Sequence, residues 1–176
     1  MSTRSPRGRR HMLAVSPTAR RIVLLAYEHM NVLDLCGPLQ AFATATRSAP
    51  SGTPPRYETI VASADGGMVT TGSGLALGSV PVESLDTCEI DTLVVPGGCK
   101  GETYSAPRKL IDWVARRAPD VRRLWSVCTG AFLLAEAGQL DGKTVATHWD
   151  WVARLRTSHP DIAVDADKIF VRDGSL

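Results

Sequence analysis

Three short apolar runs, each breaking off at a turn and followed by a helical pattern, constrain this chain most. They are Ile22-Val-Leu-Leu-Ala-Tyr27, Asp91-Thr-Leu-Val-Val95 and Arg122-Arg-Leu-Trp-Ser-Val127. Runs without polar alternation suit strands covered on both faces. Residues 34–47 then carry Leu35, Leu39, Phe42 and Ala43 at helical spacing, with Pro38 early, where a first turn tolerates it. Residues 107–117 do the same through Leu110, Ile111 and Val114, and residues 129–137 form a short apolar helix closed by Gly138. Residues 57–63 predict another strand, and the Asp65-Gly66-Gly67 turn predicts a hairpin between 68–71 and 76–80. Downstream, 143–147 reads as a strand and 148–158 as a helix ended by Pro160. Residues 163–164 and 168–171 read as a terminal pair of strands.

Strands alternating with helices give an α/β fold, a parallel sheet sandwiched by helices. In such sheets ligands sit beyond the carboxyl ends of the strands. Pro96-Gly-Gly98 and Cys128-Thr-Gly130 occupy that kind of position.

The 176 residues make one domain, and 44% hydrophobic with 22% charged residues excludes a disordered or fibrous chain. No apolar run approaches the roughly 20 residues that cross a bilayer, and Met12 to Val15 is too short for a secretory signal core, so no membrane partner is expected. Six arginines (Arg4, Arg7, Arg9, Arg10, Arg20 and Arg21) precede Ile22 with no acid among them. That leaves 14 Lys and Arg against 18 Asp and Glu, a net −4 for the rest. Residues 1–21 therefore read as a disordered basic leader, and the body from 22 to 176 as one domain that repels nucleic acid.

Cys36, Cys88, Cys99 and Cys128 form no C-x-x-C pair and no zinc spacing. Free thiols in a reducing, cytoplasmic compartment are the expectation. With no metal set, phosphate loop or dinucleotide fingerprint, no cofactor is implied.

Ser126-Val-Cys-Thr-Gly130 joins a strand directly to a helix. A nucleophile there sits on a strained turn that needs small residues two before and two after, and Ser126 and Gly130 meet the need. The helix start should favour the Cys128 thiolate and lower its pKa. The backbone N–H groups of Thr129 and Gly98 are the candidate oxyanion donors.

Cys128-Thr-Gly-Ala, with Val95-Pro-Gly-Gly98 before it and Gly142-Lys-Thr-Val-Ala-Thr-His-Trp149 after it, resembles the DJ-1/PfpI superfamily. The likeness runs from about Ile22 to Leu176 and implies a flavodoxin-like fold with a nucleophile elbow. It makes Cys128 the nucleophile and assigns the oxyanion-hole amides to Gly98 and Thr129. It also puts Asp34, in Leu33-Asp-Leu-Cys-Gly-Pro38, beside the thiol as protonated partner or proton shuttle; an N-cap is the structural alternative. His148 matches a family histidine near the site, or caps the next helix. Cys36, Cys88 and Cys99 are expected to pack, and Trp113, Trp125, Trp149 and Trp151 to serve core or interface.

Thr129 stands where the peptidase-like branch has a His, and no His-x-Glu pair follows Cys128. Proteolysis and glutaminase activity are thus not expected. Two readings survive. The stretch from His148-Trp-Asp-Trp through residues 159–174 resembles the N-terminal sensory domain of AraC-type transcriptional regulators. The Asp-Leu-x-Gly-Pro element, Ser-Val-Cys-Thr-Gly and Thr-His-Trp also resemble isocyanide hydratases. The longer match favours the regulator, with a small-molecule ligand or substrate and a homodimer as the implied partners. A third reading, a redox sensor, has peroxide oxidising Cys128 before the other thiols. In both branches the fold continues past the Asp-Gly turn with a strand and a helix, so the domain reads as C-terminally incomplete. DNA contact would come only from a domain beyond it.

Overall fold

The structure, a computed structural model, describes residues 19–50, 52–99, 101 and 103–176. The first 18 residues of the expected leader lie outside that set. β1 (Arg20–Leu25) is followed by α1 (Val32–Arg47), β2 (Tyr57–Ser63), β3 (Gly67–Thr70), β4 (Ala76–Pro81) and β5 (Thr92–Val95). Then come α2 (Arg108–Arg117), β6 (Arg123–Ser126), α3 (Gly130–Glu136), β7 (Thr144–Val145), α4 (Val152–Ser158) and β8 (Ala163–Val164).

Six strands form one sheet in the order β3-β4-β2-β1-β5-β6. All its pairings are parallel except the β3–β4 hairpin. Ile22, Val23, Leu24 and Leu25 of β1 and Leu93, Val94 and Val95 of β5 are fully buried, which is why these runs carry no polar alternation. Each such side chain contributes about 2 kcal/mol of apolar burial. The chain leaves β1 in one direction, toward β2, and reaches β5 and β6 on the other side, so the strand order switches between β1 and β5. Phe42 of α1 stacks on Trp125 of β6 and meets Tyr57 of β2 edge-on, while α2 and α3 pack on each other and α3 against β5. The sheet is thereby covered by helices, the sandwich expected.

Several boundaries differ from expectation, each for a local reason. β1 begins at Arg20, inside the expected leader, because Arg20 and Arg21 reach carboxylates: Arg20 to Asp91 at 3.8 Å and Arg21 to Glu58 at 3.0 Å. α1 begins at Val32, and its N-cap is Asn31, whose side chain accepts from Leu33 N–H at 3.0 Å; Asp34 is in the first turn and is not the cap. The helix expected at 148–158 is a 3-10 turn, Trp149–Trp151, running into α4. β8 pairs in parallel with β7 rather than with 168–171, which forms no strand. The chain's last residues return to the large sheet, where Ser175 C=O accepts from Leu124 N–H of β6 at 2.9 Å.

Candidate functional site

Three loops meet at the carboxyl ends of β1, β5 and β6: residues 26–31, 96–99 and 127–130. Close backbone approach joins them. Met30 bridges Gly98, and Asn31 N–H donates to Gly97 C=O at 2.8 Å. A Cβ on Gly98 would strike the Met30 backbone, and one on Gly130 would strike the Val95 carbonyl. Glycine at these two places lets β5, the α1 start and the α3 start share one point.

Cys128 occupies the turn from β6 to α3 with φ +56°, a left-handed conformation rare for a side-chain-bearing residue. Strain of order 1–2 kcal/mol is held by the buried neighbours Thr129 and Gly130. Thr147 Oγ1 donates to the Cys128 carbonyl at 3.1 Å. Asp34 and the Thr129 N–H lie close enough to the Cys128 sulfur to influence its titration.

The electrostatics reverse one expectation. Burial first, and the Asp34 charge second, push the Cys128 thiol above its ordinary pKa, outweighing the Thr129 N–H that favours thiolate. α3 has only 7 residues, and its start does not overcome a half-buried site beside a carboxylate. Asp34 is also raised, by burial, against the opposing pull of the Gly97 N–H, the Cys128 thiol and His148. With its pKa pushed up from an already alkaline value, Cys128 rests as a thiol at neutral pH, beside the Asp34 carboxyl.

The glycine loop is fully engaged. Gly97 N–H donates to Asp34 Oδ2 at 3.1 Å, and Gly98 N–H donates to Thr129 Oγ1 at 2.9 Å. The Gly98 amide, expected to serve an oxyanion hole, is thus occupied by the hydroxyl next to the cysteine. A ligand oxygen would reach it by displacing that hydroxyl.

His148 stands between β7 and the 3-10 turn that opens at Trp149. Its Nδ1 accepts from Asp150 N–H at 3.3 Å, capping the 3-10 turn, and its ring lies near enough to Asp34 to favour the carboxylate. Trp149 stacks on it and is 76% exposed, whereas Trp113 is fully buried in the core. All four cysteines are free thiols. Cys36 and Cys88 pack against the core, and Cys99 lies close enough to Tyr27 to influence it.

Sequence reasoning missed Tyr27. Its hydroxyl, buried at the end of β1, donates to Pro96 C=O at 2.7 Å and lies near Asp34 and Cys128. The only signal was a hydroxyl closing an apolar strand at the ligand end of the sheet.

A groove of about 810 Å³ opens from Cys128 along β6, with Val127, Thr147, His148, Trp149 and Phe170 among its walls. Among the described residues, no helix is long and apolar enough to cross a membrane.

A switch-point sheet with a cysteine on the strand-to-helix turn, faced by a carboxyl from the first helix, defines the class of this domain. The chain belongs to the DJ-1/PfpI family, whose family model matches residues 20–176. It is 36% identical over 146 residues to an uncharacterized protein of Streptomyces lividans, covering 80% of this chain and 95% of that one. It is 30% identical to the isonitrile hydratase of Pseudomonas putida, over 90% of this chain and 64% of the hydratase. The HTH-type transcriptional regulator GbdR of Pseudomonas aeruginosa is 34% identical over 62% of this chain, which spans 29% of that regulator. The chain thus spans less than two thirds of the hydratase and under a third of the regulator.

Among solved structures, an AraC family transcriptional regulator from Pseudomonas putida superposes with a TM-score of 0.70 at 22% identity, covering 86% of this chain and 80% of that one. Drosophila melanogaster DJ-1beta gives 0.72 at 16% identity, over 90% and 80%. At these identities the likeness is one of fold, and it is the flavodoxin-like sandwich expected from the sequence.

Proposed function

We propose that this chain is a small-molecule sensory domain of the kind joined to AraC-type transcriptional regulators, with Cys128 and Asp34 as its ligand-facing pair. The observation that carries the reading is the place of the elbow: Cys128 lines a groove of about 810 Å³, and burial with the neighbouring Asp34 pushes its thiol up. Such a pair offers a hydrogen-bonding, polarisable contact rather than a free thiolate, which suits recognition more than turnover. Similarity to the regulators GbdR, CdhR and GlxA supports the same reading. The net −4 of the body assigns any DNA contact to a separate domain. Exposed Leu33, in the first turn of α1, suits a homodimer contact near the site.

A second reading is a cysteine-dependent isocyanide hydratase, favoured by the 90% of this chain that the isonitrile hydratase match covers. There the Cys128 proton passes to Asp34 as sulfur bonds the terminal isocyanide carbon. Asp34 returns the proton to that carbon, giving a thioimidate. Water then adds, the C–S bond breaks, and an N-formamide leaves as the thiol is restored. Proteolysis and glutamine hydrolysis are not part of either reading.

Incubating the purified protein with an aryl isocyanide separates the two. The sensory reading predicts no formamide beyond background. Multiple turnovers that vanish in Cys128→Ala would overturn it in favour of the hydratase.

A further inference from the structure

The peptide group between Pro96 and Gly97 is held at both ends by residues far apart in sequence. Its carbonyl accepts from Tyr27 Oη at 2.7 Å, and its N–H donates to Asp34 Oδ2 at 3.1 Å. The Asp34 carboxyl in turn lies beside the Cys128 thiol, near enough for each to influence the other. The next peptide group is equally fixed, through Asn31 N–H at Gly97 C=O and Thr129 Oγ1 at Gly98 N–H. Gly97 itself lies so close that a Cβ there would fall 2.8 Å from Asp34 Oδ2 and 2.7 Å from Thr129 Oγ1.

We propose that Tyr27 is a positioning residue that sets the proton affinity of the Asp34–Cys128 pair through the Pro96–Gly97 peptide. The inference rests on the reading of that pair as the functional centre. Two physical effects carry it. First, donation into a carbonyl polarises the same amide's N–H and strengthens the bond that N–H makes. Second, a peptide is planar, so fixing its oxygen fixes the direction of its hydrogen. Tyr27 is only 2% exposed, and burial, followed by further contributions including the Asp34 and Cys128 charges, disfavours its ionisation, so it remains a donor at every working pH. Tyr104 and Cys99 are also close enough to its hydroxyl to influence it.

The groups facing Asp34 are the Gly97 N–H from the loop after β5, Cys128 from the elbow and His148 from the segment after β7. Of these, only the Gly97 N–H belongs to the peptide that Tyr27 holds. Tyr27→Phe removes the donor and keeps the ring. The Gly97 N–H then supports the carboxylate less, and the Asp34 pKa rises.

The test is a pH titration of the Asp34 side-chain carboxyl carbon by NMR, its resonance assigned by its loss in Asp34→Asn. Tyr27→Phe should move the midpoint up by on the order of half a pH unit. An unchanged midpoint, with only a lower melting temperature, would reduce Tyr27 to a packing residue and overturn the proposal. If Tyr27→Phe fails to fold, 3-fluorotyrosine at position 27 supplies a stronger donor, and the midpoint should fall; no movement overturns the proposal. Alkylation of Cys128 by iodoacetamide, followed on its own peptide, separates the two levels. If Asp34→Asn leaves that pH profile unchanged, the functional pair and the proposal both fall. If the profile is sensitive to Asp34 but the midpoint ignores Tyr27, only the proposal falls.

Discussion

Gly98 and Thr129, 31 residues apart in sequence, share a buried hydrogen bond of 2.9 Å from the Gly98 amide to the Thr129 hydroxyl. The side chain that follows the cysteine therefore holds the glycine loop in place. It also occupies the amide that an oxyanion would otherwise reach. The residue after the elbow cysteine thus has a structural duty at the glycine loop.

Replacing Thr129 by Val keeps its shape and leaves a buried N–H without an acceptor. Thr129→Val should lose about 1–3 kcal/mol of stability in urea unfolding, while Thr129→Ser should stay near the parent. Equal losses for both would mean that the methyl group, not the hydroxyl, matters.

The two glycines flanking this contact should respond differently. Gly130→Ala forces a methyl into the Val95 and Pro96 carbonyls, and a cost of about 3 kcal/mol is expected in the same measurement. Gly97→Ala pushes instead on Thr129 and Asp34 Oδ2, so the Cys128 alkylation profile should change along with the fold's stability. A Gly130→Ala protein as stable as the parent would show that β5 and α3 are not so closely apposed.

The raised Asp34 pKa has a defined consequence for stability. Folding favours the protonated carboxyl, so its contribution is fully present below the unfolded pKa of about 3.9 and is lost as pH rises through the folded value. Asn carries no such charge. The stability of Asp34→Asn relative to the parent should therefore improve from pH 3 toward pH 7, read from urea midpoints at each pH. A difference that is flat or falls with pH would mean that Asp34 is not held above its ordinary value.

Much of this arrangement was legible in the sequence because it is local. The apolar runs of β1 and β5, the hairpin after Asp65 and the small residues around Cys128 each follow from their immediate neighbours. What was not legible depends on contacts across the sheet. Tyr27 meets Pro96 across 69 residues, and Thr129 meets Gly98 across 31, so neither bond leaves a mark in any short stretch. The sign of the Cys128 shift failed for a related reason. The helix start is visible at Thr129-Gly130, but its shortness and the depth of burial beside Asp34 emerge only on folding. Asp34 was singled out through its surrounding motif, whereas its exclusion from the cap position had to await the true N-cap of α1, Asn31.

The central claim is that burial and the neighbouring Asp34 hold Cys128 as a thiol with its pKa above the ordinary value. Its most direct test is the rate of iodoacetamide modification at Cys128 against pH, in the parent and in Asp34→Asn. The parent should react with a midpoint above that of an ordinary thiol, and Asp34→Asn should react about three- to tenfold faster near pH 7 because the repelling charge is gone. Superimposable profiles, or a parent midpoint below the ordinary thiol value, would contradict it.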